Sequence, residues 1–298
     1  MPSLQAHIVK KLLLIKPFGW ARGSIEEQRS RQEKAANRFR TPRGMEFEPI
    51  HFNGMKGAWV NGPDFKDGVV LYLHGGAFVL GSIDIHRDFL GRFALATRTR
   101  VLAIDYRLAP EHLFPAALED SLCAYDWLLS QGFDSRRIVI AGDSAGGGLA
   151  LSTLVALRDR GGPLPACVVC ISPWVDLTFS SPSVFSKAKA DPVLSSGILT
   201  PYANDYAGEH PKDDPLISPL YANFEGLPPL LIHVGTDEIF LDEARLLTTK
   251  AGAAGVDVKL QTWEGMFHVF QMVPFLPESR ESLGLIAAFI SQNIQADI

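Results

Sequence analysis

From residue 46 onward, short apolar runs rich in β-branched residues alternate with longer segments whose apolar positions recur every three or four residues. The short runs predict strands and the longer segments predict amphipathic helices. Strands are expected at 46–52, 55–60, 68–73, 101–106, 138–141, 167–171, 229–234 and 256–263. Helices are expected at 84–97, 113–129, 149–158, 240–253 and 277–294. Asn53-Gly54 is a strong hairpin turn, so the second strand should run antiparallel to the first. Beyond it, regular alternation of strand and helix calls for a mostly parallel eight-stranded sheet with helices on both faces.

Two stretches break that rhythm. Residues 1–45 carry no strand signal. Leu4, Ile8, Leu12 and Ile15 recur at helical spacing, and Ser24-Ile25-Glu26-Glu27 has the spacing of a capping box that opens a second helix. Pro17 and Gly19 separate the two. Residues 174–225 are rich in Pro, Ser, Asp and aromatics, and form an insertion of the kind that serves as a lid or specificity element.

Composition narrows the function classes. A net charge of −5 with no basic stripe argues against a nucleic-acid partner. The cationic segment at 29–43 is interrupted by Glu33 and reads as a solvated helix face. No apolar run is long enough to span a bilayer, and the run at 12–15 is too short for a secretory leader, so a soluble, cytoplasmic protein is expected. The first helix could alternatively lie on a membrane surface or cover a site. Three cysteines do not make a disulfide scaffold, and Cys167 and Cys170 fall on opposite faces of one strand, so packed free thiols are expected rather than a metal or redox pair.

The chemistry centres on 138–151. There a buried strand ends at Gly142, Ser144 follows, and a glycine cluster leads into a helix. Gly142-Asp143-Ser144-Ala145-Gly146 fits a nucleophile elbow, with small residues where strand and helix crowd together. A serine nucleophile needs a base, an acid that orients the base, and donors for the oxyanion. Among eight histidines, His268 follows the last strand, as the Ser…acid…His order of such folds requires. The acid should follow the preceding strand, where Asp237 and Glu238 compete. Oxyanion donors are expected from the Ala145 amide and from the glycine loop His74-Gly75-Gly76-Ala77-Phe78. That loop lacks the features of a phosphate-binding loop, and neither metal nor cofactor is expected.

His-Gly-Gly-Ala-Phe at 74–78, Asp-Tyr-Arg-Leu-Ala-Pro-Glu-His at 105–112, Gly-Asp-Ser-Ala-Gly-Gly at 142–147, Ile-Ser-Pro-Trp-Val-Asp-Leu at 171–177 and Ile-Ser-Pro-Leu at 217–220 occur in order. Together they resemble the hormone-sensitive-lipase-like, or bacterial family IV, carboxylesterases. The resemblance implies an α/β-hydrolase domain over 46–298, capped by the helices of 1–45 and an insertion at about 180–210. It implies hydrolysis of short- to medium-chain acyl esters through an acyl-enzyme, with Ser144 as nucleophile, His268 as base, and Gly75, Gly76, Ala77 and Ala145 forming the oxyanion hole. Ala77 stands where the family usually has glycine, which leaves a backbone donor intact. The family's Asp-Pro-Leu-Arg-Asp-Glu, aligned on Asp242-Glu243, puts Glu238 in the acid slot and Asp237 one residue early.

Asp143 should tie nearby loops by hydrogen bonds, and Tyr106, Arg107 and Glu111 should be paired structural groups. Phe78, Trp174, Phe185, Tyr206 and Met266 are candidates for the substrate pocket or the core. The partner is expected to be a small-molecule ester, with no stable membrane insertion, and the strand at 257–263 could pair across a homodimer. The same triad would serve an amidase or deacetylase. A non-catalytic ligand receptor of this fold would have lost the base.

Overall fold

A computed structural model describes residues 1–15, 23–36, 41–63 and 65–294. Pro17, Gly19, Arg38, Phe39 and Arg40 lie outside them.

Eight strands form one sheet: β1 (Glu46–Phe52), β2 (Met55–Asn61), β3 (Lys66–Leu73), β4 (Thr99–Asp105), β5 (Ile138–Asp143), β6 (Cys167–Ile171), β7 (Leu230–Gly235) and β8 (Val258–Trp263). Their order is β1-β2-β4-β3-β5-β6-β7-β8. The Asn53-Gly54 turn makes β1 and β2 an antiparallel hairpin, and β2 also pairs antiparallel to β4. Every other pairing is parallel. The result is the mostly parallel eight-stranded sheet that the alternation predicts.

Both faces are covered, as a parallel sheet requires. On one face, Val69, Leu71 and Leu73 of β3 pack with α4 (Ala116–Ser130), α5 (Ala145–Asp159) and α8 (Leu241–Ala253). On the other, Val70 and Tyr72 pack with α3 (Ile83–Thr97) and α9 (Pro277–Asn293). Strand periodicity of two assigns neighbouring residues to different layers. Each fully buried Val, Leu or Ile in these layers contributes on the order of 1.5–3 kcal/mol. The same alternation sends Cys170 into the first layer and Cys167 into the second, and both are free thiols whose ionisation burial opposes.

Boundaries shift where tertiary contacts decide them. α5 begins at Ala145 rather than 149, because Gly146, Gly147 and Gly148 are themselves helical and buried. Side chains there would strike Leu73, Pro173 and Trp174 respectively. α4 begins at Ala116 rather than 113, since the Phe114 amide donates to the Tyr206 carbonyl at 2.8 Å.

The two N-terminal helices do different things. α1 (Leu4–Ile15) lies against the loop after β8, with Ala6 buried among Trp263, Met266, Phe267, Phe270 and Leu276. Val9 and Leu13 flank that contact, while the periodic stripe Leu4, Ile8, Leu12 and Ile15 faces outward. The rotation is fixed at both ends: the Ser3 amide and hydroxyl donate to the Glu278 carboxylate at 2.6 and 3.0 Å, and Lys10 pairs with Asp237. α2 (Ile25–Ala36) meets the insertion instead, where the Tyr202 hydroxyl donates to Gln28 at 2.5 Å. The insertion carries α6 (Ser183–Ser186) and α7 (Ser196–Ala207).

Candidate active site

At the C-terminal end of β5 the chain reverses into α5 within one residue. Ser144 has φ 53° and ψ −122°, a region that a residue with a Cβ avoids at a cost of order 1–3 kcal/mol. Surrounding backbone holds it there. The Ser144 amide donates to the Ile171 carbonyl at 2.8 Å, and its own carbonyl accepts from Trp174, Gly147 and Gly148 at 2.9, 3.0 and 3.1 Å. Gly142 and Gly146 let the strand and helix meet: a Cβ on Gly146 would sit 2.0 Å from the Leu73 carbonyl oxygen, and one on Gly142 would sit 2.3 Å from that of Gly146.

His268 comes from the loop after β8. Its Nε2 lies 2.9 Å from Ser144 Oγ, and its Nδ1 lies 2.9 Å from Glu238 Oε2. Glu238 is wholly buried. Its other oxygen, Oε1, accepts the Gly235 amide at 2.6 Å and the Ser172 hydroxyl at 2.7 Å. Ser172 Oγ in turn accepts the Val269 amide at 3.2 Å, which links Glu238 to the loop carrying His268. The ring of Phe240 stands edge-on to the His268 imidazole, with centroids 5.4 Å apart. Asp237 points elsewhere: it pairs with Lys10 and lies 3.9 Å from Lys187 Nζ.

The glycine loop follows β3. Gly76 adopts φ 130°, where an added Cβ would lie 2.1 Å from the Leu80 carbonyl oxygen. Among the described residues, no protein group accepts the amide hydrogens of Gly76, Ala77 or Ala145. Gly75 departs from expectation: its amide donates to Asp143 Oδ1 at 3.0 Å, so it has no hydrogen left for an oxyanion.

Asp143 is the hub beneath this loop. It also accepts the Tyr72 hydroxyl at 2.9 Å and faces His86 Nε2 at 3.3 Å. Burial opposes both charges. The partner's field wins on each side, raising His86 above the usual imidazole value and lowering Asp143 below the usual carboxylate value. The Tyr106 hydroxyl donates to the His74 carbonyl at 2.7 Å, and its ring stacks on the His74 imidazole at 4.4 Å.

A family model of the alpha/beta hydrolase fold matches residues 70–272. An acetyl-hydrolase of Streptomyces hygroscopicus is 39% identical over 97% of each chain. A solved esterase of the bacterial hormone-sensitive lipase family is 41% identical, covers 99% of this chain and 100% of its own, and superposes with a TM-score of 0.93. The same figures hold for esterase EstE5 in a crystal soaked with p-nitrophenyl butyrate. The chain belongs to the hormone-sensitive-lipase-like carboxylesterases.

In this esterase the other sequence candidates separate cleanly. Phe78, Trp174 and Tyr206 are buried together near the elbow: Phe78 stacks on Tyr206 at 3.8 Å, and Trp174 stacks on Phe240 at 6.0 Å. Phe185 is 74% exposed on α6 rather than packed with these rings. Met266 is buried under α1 with Phe267. Arg107 and Glu111 are paired as expected, with Asp120 and Arg29 respectively, but both lie at the surface rather than in a buried turn. Among the described residues, no cluster of three or more His, Cys, Asp or Glu is placed to hold a metal ion, and no helix is long and apolar enough to cross a membrane.

Three participants have no signal in the local sequence. Ser172 stands in the Ile-Ser-Pro-Trp segment and carries φ 46°, but no local pattern announces its bond to Glu238. His86 looks like any helical histidine until Asp143 is placed against it. Asp191, in the insertion, accepts the amide of Ile239, the residue after Glu238.

Proposed function

We propose that Ser144, His268 and Glu238 are the catalytic triad of this carboxylesterase, and that Gly76, Ala77 and Ala145 supply the oxyanion donors. The observation that carries the reading is the unbroken chain of two 2.9 Å contacts, Ser144 Oγ to His268 Nε2 and His268 Nδ1 to Glu238 Oε2. His268 takes the Ser144 proton as Oγ attacks the ester carbonyl. Negative charge then develops on the carbonyl oxygen, which accepts from the Gly76, Ala77 and Ala145 amides, groups without another acceptor among the described residues. Glu238, held by Gly235 and Ser172, keeps the imidazole in the correct tautomer and stabilises the imidazolium. His268 returns the proton to the departing alcohol. Water then repeats the sequence on the acyl-Ser144 ester and releases the acid. The step uses neither metal nor cofactor.

The substrate class we propose is a small carboxylic ester with a short or medium acyl chain, in line with the acetyl-hydrolase relative and with the aromatic packing of Phe78, Trp174 and Tyr206 beside the elbow. We assign the cap to α2 and the insertion, which meet through Gln28 and Tyr202. β8 is an edge strand, which supports pairing with a second copy, and sedimentation of the purified chain tests it. A reducing, cytoplasmic setting fits three free thiols. The decisive test of the triad is Ser144→Ala assayed on p-nitrophenyl butyrate. Turnover should disappear while the fold is kept, and near-wild-type hydrolysis would sink the reading.

A further inference from the structure

The insertion grips the loop of the triad acid at three points. Lys187 Nζ lies 3.9 Å from the Asp237 carboxylate. Ser183 Oγ donates to the Ile239 carbonyl at 2.6 Å and accepts the Asp242 amide at 3.0 Å. Asp191 Oδ2 accepts the Ile239 amide at 3.0 Å. Glu238 lies between these ties.

Asp191 does more than the other two. Its Oδ1 accepts the amides of Val193 and Leu194, both at 2.9 Å, so 191–194 is a closed turn. Val193 at the tip packs against the cluster of Met266 and Phe267, the residues immediately before His268. One turn therefore holds the acid loop by a hydrogen bond and the base loop by apolar contact. We propose that Asp191 is a positioning residue through which the insertion sets the Glu238–His268 pair, and that its carboxylate lends the imidazolium a second negative charge.

This rests on the triad reading above. The electrostatics agree with the geometry. Burial pushes the Asp191 carboxyl up to about 6, against the pull of His268 and of the Leu194 and Ile239 amides, while Glu238 pushes the same way as burial. The Asp191 carboxylate and the positive charge that His268 acquires during the reaction attract one another. Of the other charged groups near the loop, Lys10 from α1 and Lys187 from the insertion face Asp237, Arg245 pairs with Asp242, and Glu243 accepts the Val175 and Asp176 amides.

The test compares Asp191→Asn and Asp191→Glu with the wild type, by pH profiles of kcat/KM on p-nitrophenyl butyrate. Asp191→Asn removes the charge. Its acid limb should move to lower pH by about half a unit or more, and its plateau kcat should fall about tenfold with KM within about twofold. A purely structural role would not move the limb. Asp191→Glu keeps the charge but displaces it by one methylene, so its limb should stay in place while kcat falls. An unmoved limb in Asp191→Asn overturns the proposal. Should that variant not fold, wild-type kcat in Asp191→Glu overturns it. Ser144→Ala and His268→Ala run alongside: their inactivity with an unaltered Asp191→Asn profile sinks Asp191 alone, and their activity sinks the triad reading.

Discussion

Asp143 Oδ1 receives the amide hydrogen of Gly75 at 3.0 Å, joining the residue before Ser144 to the start of the glycine loop. Ser144 and the loop follow different strands, β5 and β3, which are paired in parallel with Gly142 opposite Leu73. Register alone places their ends side by side. The Asp143 bond then fixes the loop against the elbow, and the room for it exists only because Gly75 has no side chain: a Cβ there would lie 2.3 Å from Asp143 Oδ2. His86 completes the anchor from the N-terminal turn of α3, where its Nδ1 also meets the Ser82 carbonyl at 3.0 Å.

Removing that anchor should separate positioning from binding. Asp143→Ala frees the Gly75 amide and strands His86 in a buried site. Breaking one side of a buried pair costs about 3–5 kcal/mol. The variant should lose stability of that order in urea denaturation, and kcat should fall about a hundredfold with little change in KM, since an oxyanion donor acts in the transition state. Asp143→Asn retains an acceptor for Gly75 and should fall between the two. Wild-type kcat in Asp143→Ala would show that the glycine loop holds its shape unaided.

The adjacent carboxylates at 237 and 238 make opposite predictions. Glu238 is buried and meets His268 at 2.9 Å, whereas Asp237 faces Lys10 and Lys187 on the outside of the loop. Glu238→Gln should lower kcat about a thousandfold or more, as loss of the group that orients a catalytic imidazole does. Asp237→Asn removes a partly exposed ion pair worth about 1 kcal/mol or less. It should keep activity within about threefold, with a small drop in melting temperature. Steady-state kinetics on the two variants decide the assignment, and reversal of their order would move the acid to Asp237.

Local pattern carried the parts of this molecule that are local. Strand periodicity at 68–73 and 138–141 located the central strands. The elbow motif located Ser144, because small residues on both sides of a serine are what a sharp strand-to-helix turn requires. Chain order singled out His268. The choice between Asp237 and Glu238 was less legible, since they are neighbours whose different surroundings, with Gly235, Ser172 and His268 around Glu238, are assembled by the fold. Helical spacing of Leu4, Ile8, Leu12 and Ile15 announced α1 but not its rotation, which Ser3, Lys10 and the small Ala6 determine through distant partners. The glycines at 146–148 have poor helix propensity, yet they open α5 because close packing against Leu73, Pro173 and Trp174 outweighs it.

Gly146 offers the sharpest steric test. A methyl group there would approach the Leu73 carbonyl oxygen to 2.0 Å and that of His74 to 2.5 Å. Both contacts are backbone of β3 and the glycine loop, so neither can rotate away. Gly146→Ala should destabilise the fold by on the order of 3 kcal/mol or more and abolish turnover by displacing the elbow. Gly197→Ala is the control, because nothing lies within 4 Å of its added Cβ. It should keep wild-type activity, with a urea midpoint at or above that of the wild type because alanine is favoured over glycine by up to about 1 kcal/mol inside a helix such as α7.

His233 makes the acid dependence of stability testable. Its ring is buried in β7, with Nδ1 2.8 Å from Ser282 Oγ and 3.3 Å from the Trp263 indole nitrogen. Burial lowers its pKa to about 3. The unfolded chain has an ordinary histidine there, so between about pH 6.5 and pH 3 unfolding takes up a proton that the native state refuses. The stabilising contribution is complete above the unfolded value and is lost as pH falls. It amounts to about 2 kcal/mol between pH 7.5 and pH 5. His233→Gln keeps a polar side chain but cannot take the proton. The variant should be less stable than wild type at pH 7.5, having lost contacts to Ser282 and Trp263, and the gap should narrow by about 2 kcal/mol at pH 5. Urea denaturation of both proteins at the two pH values measures it, and a constant gap would show that His233 is protonated in the native state.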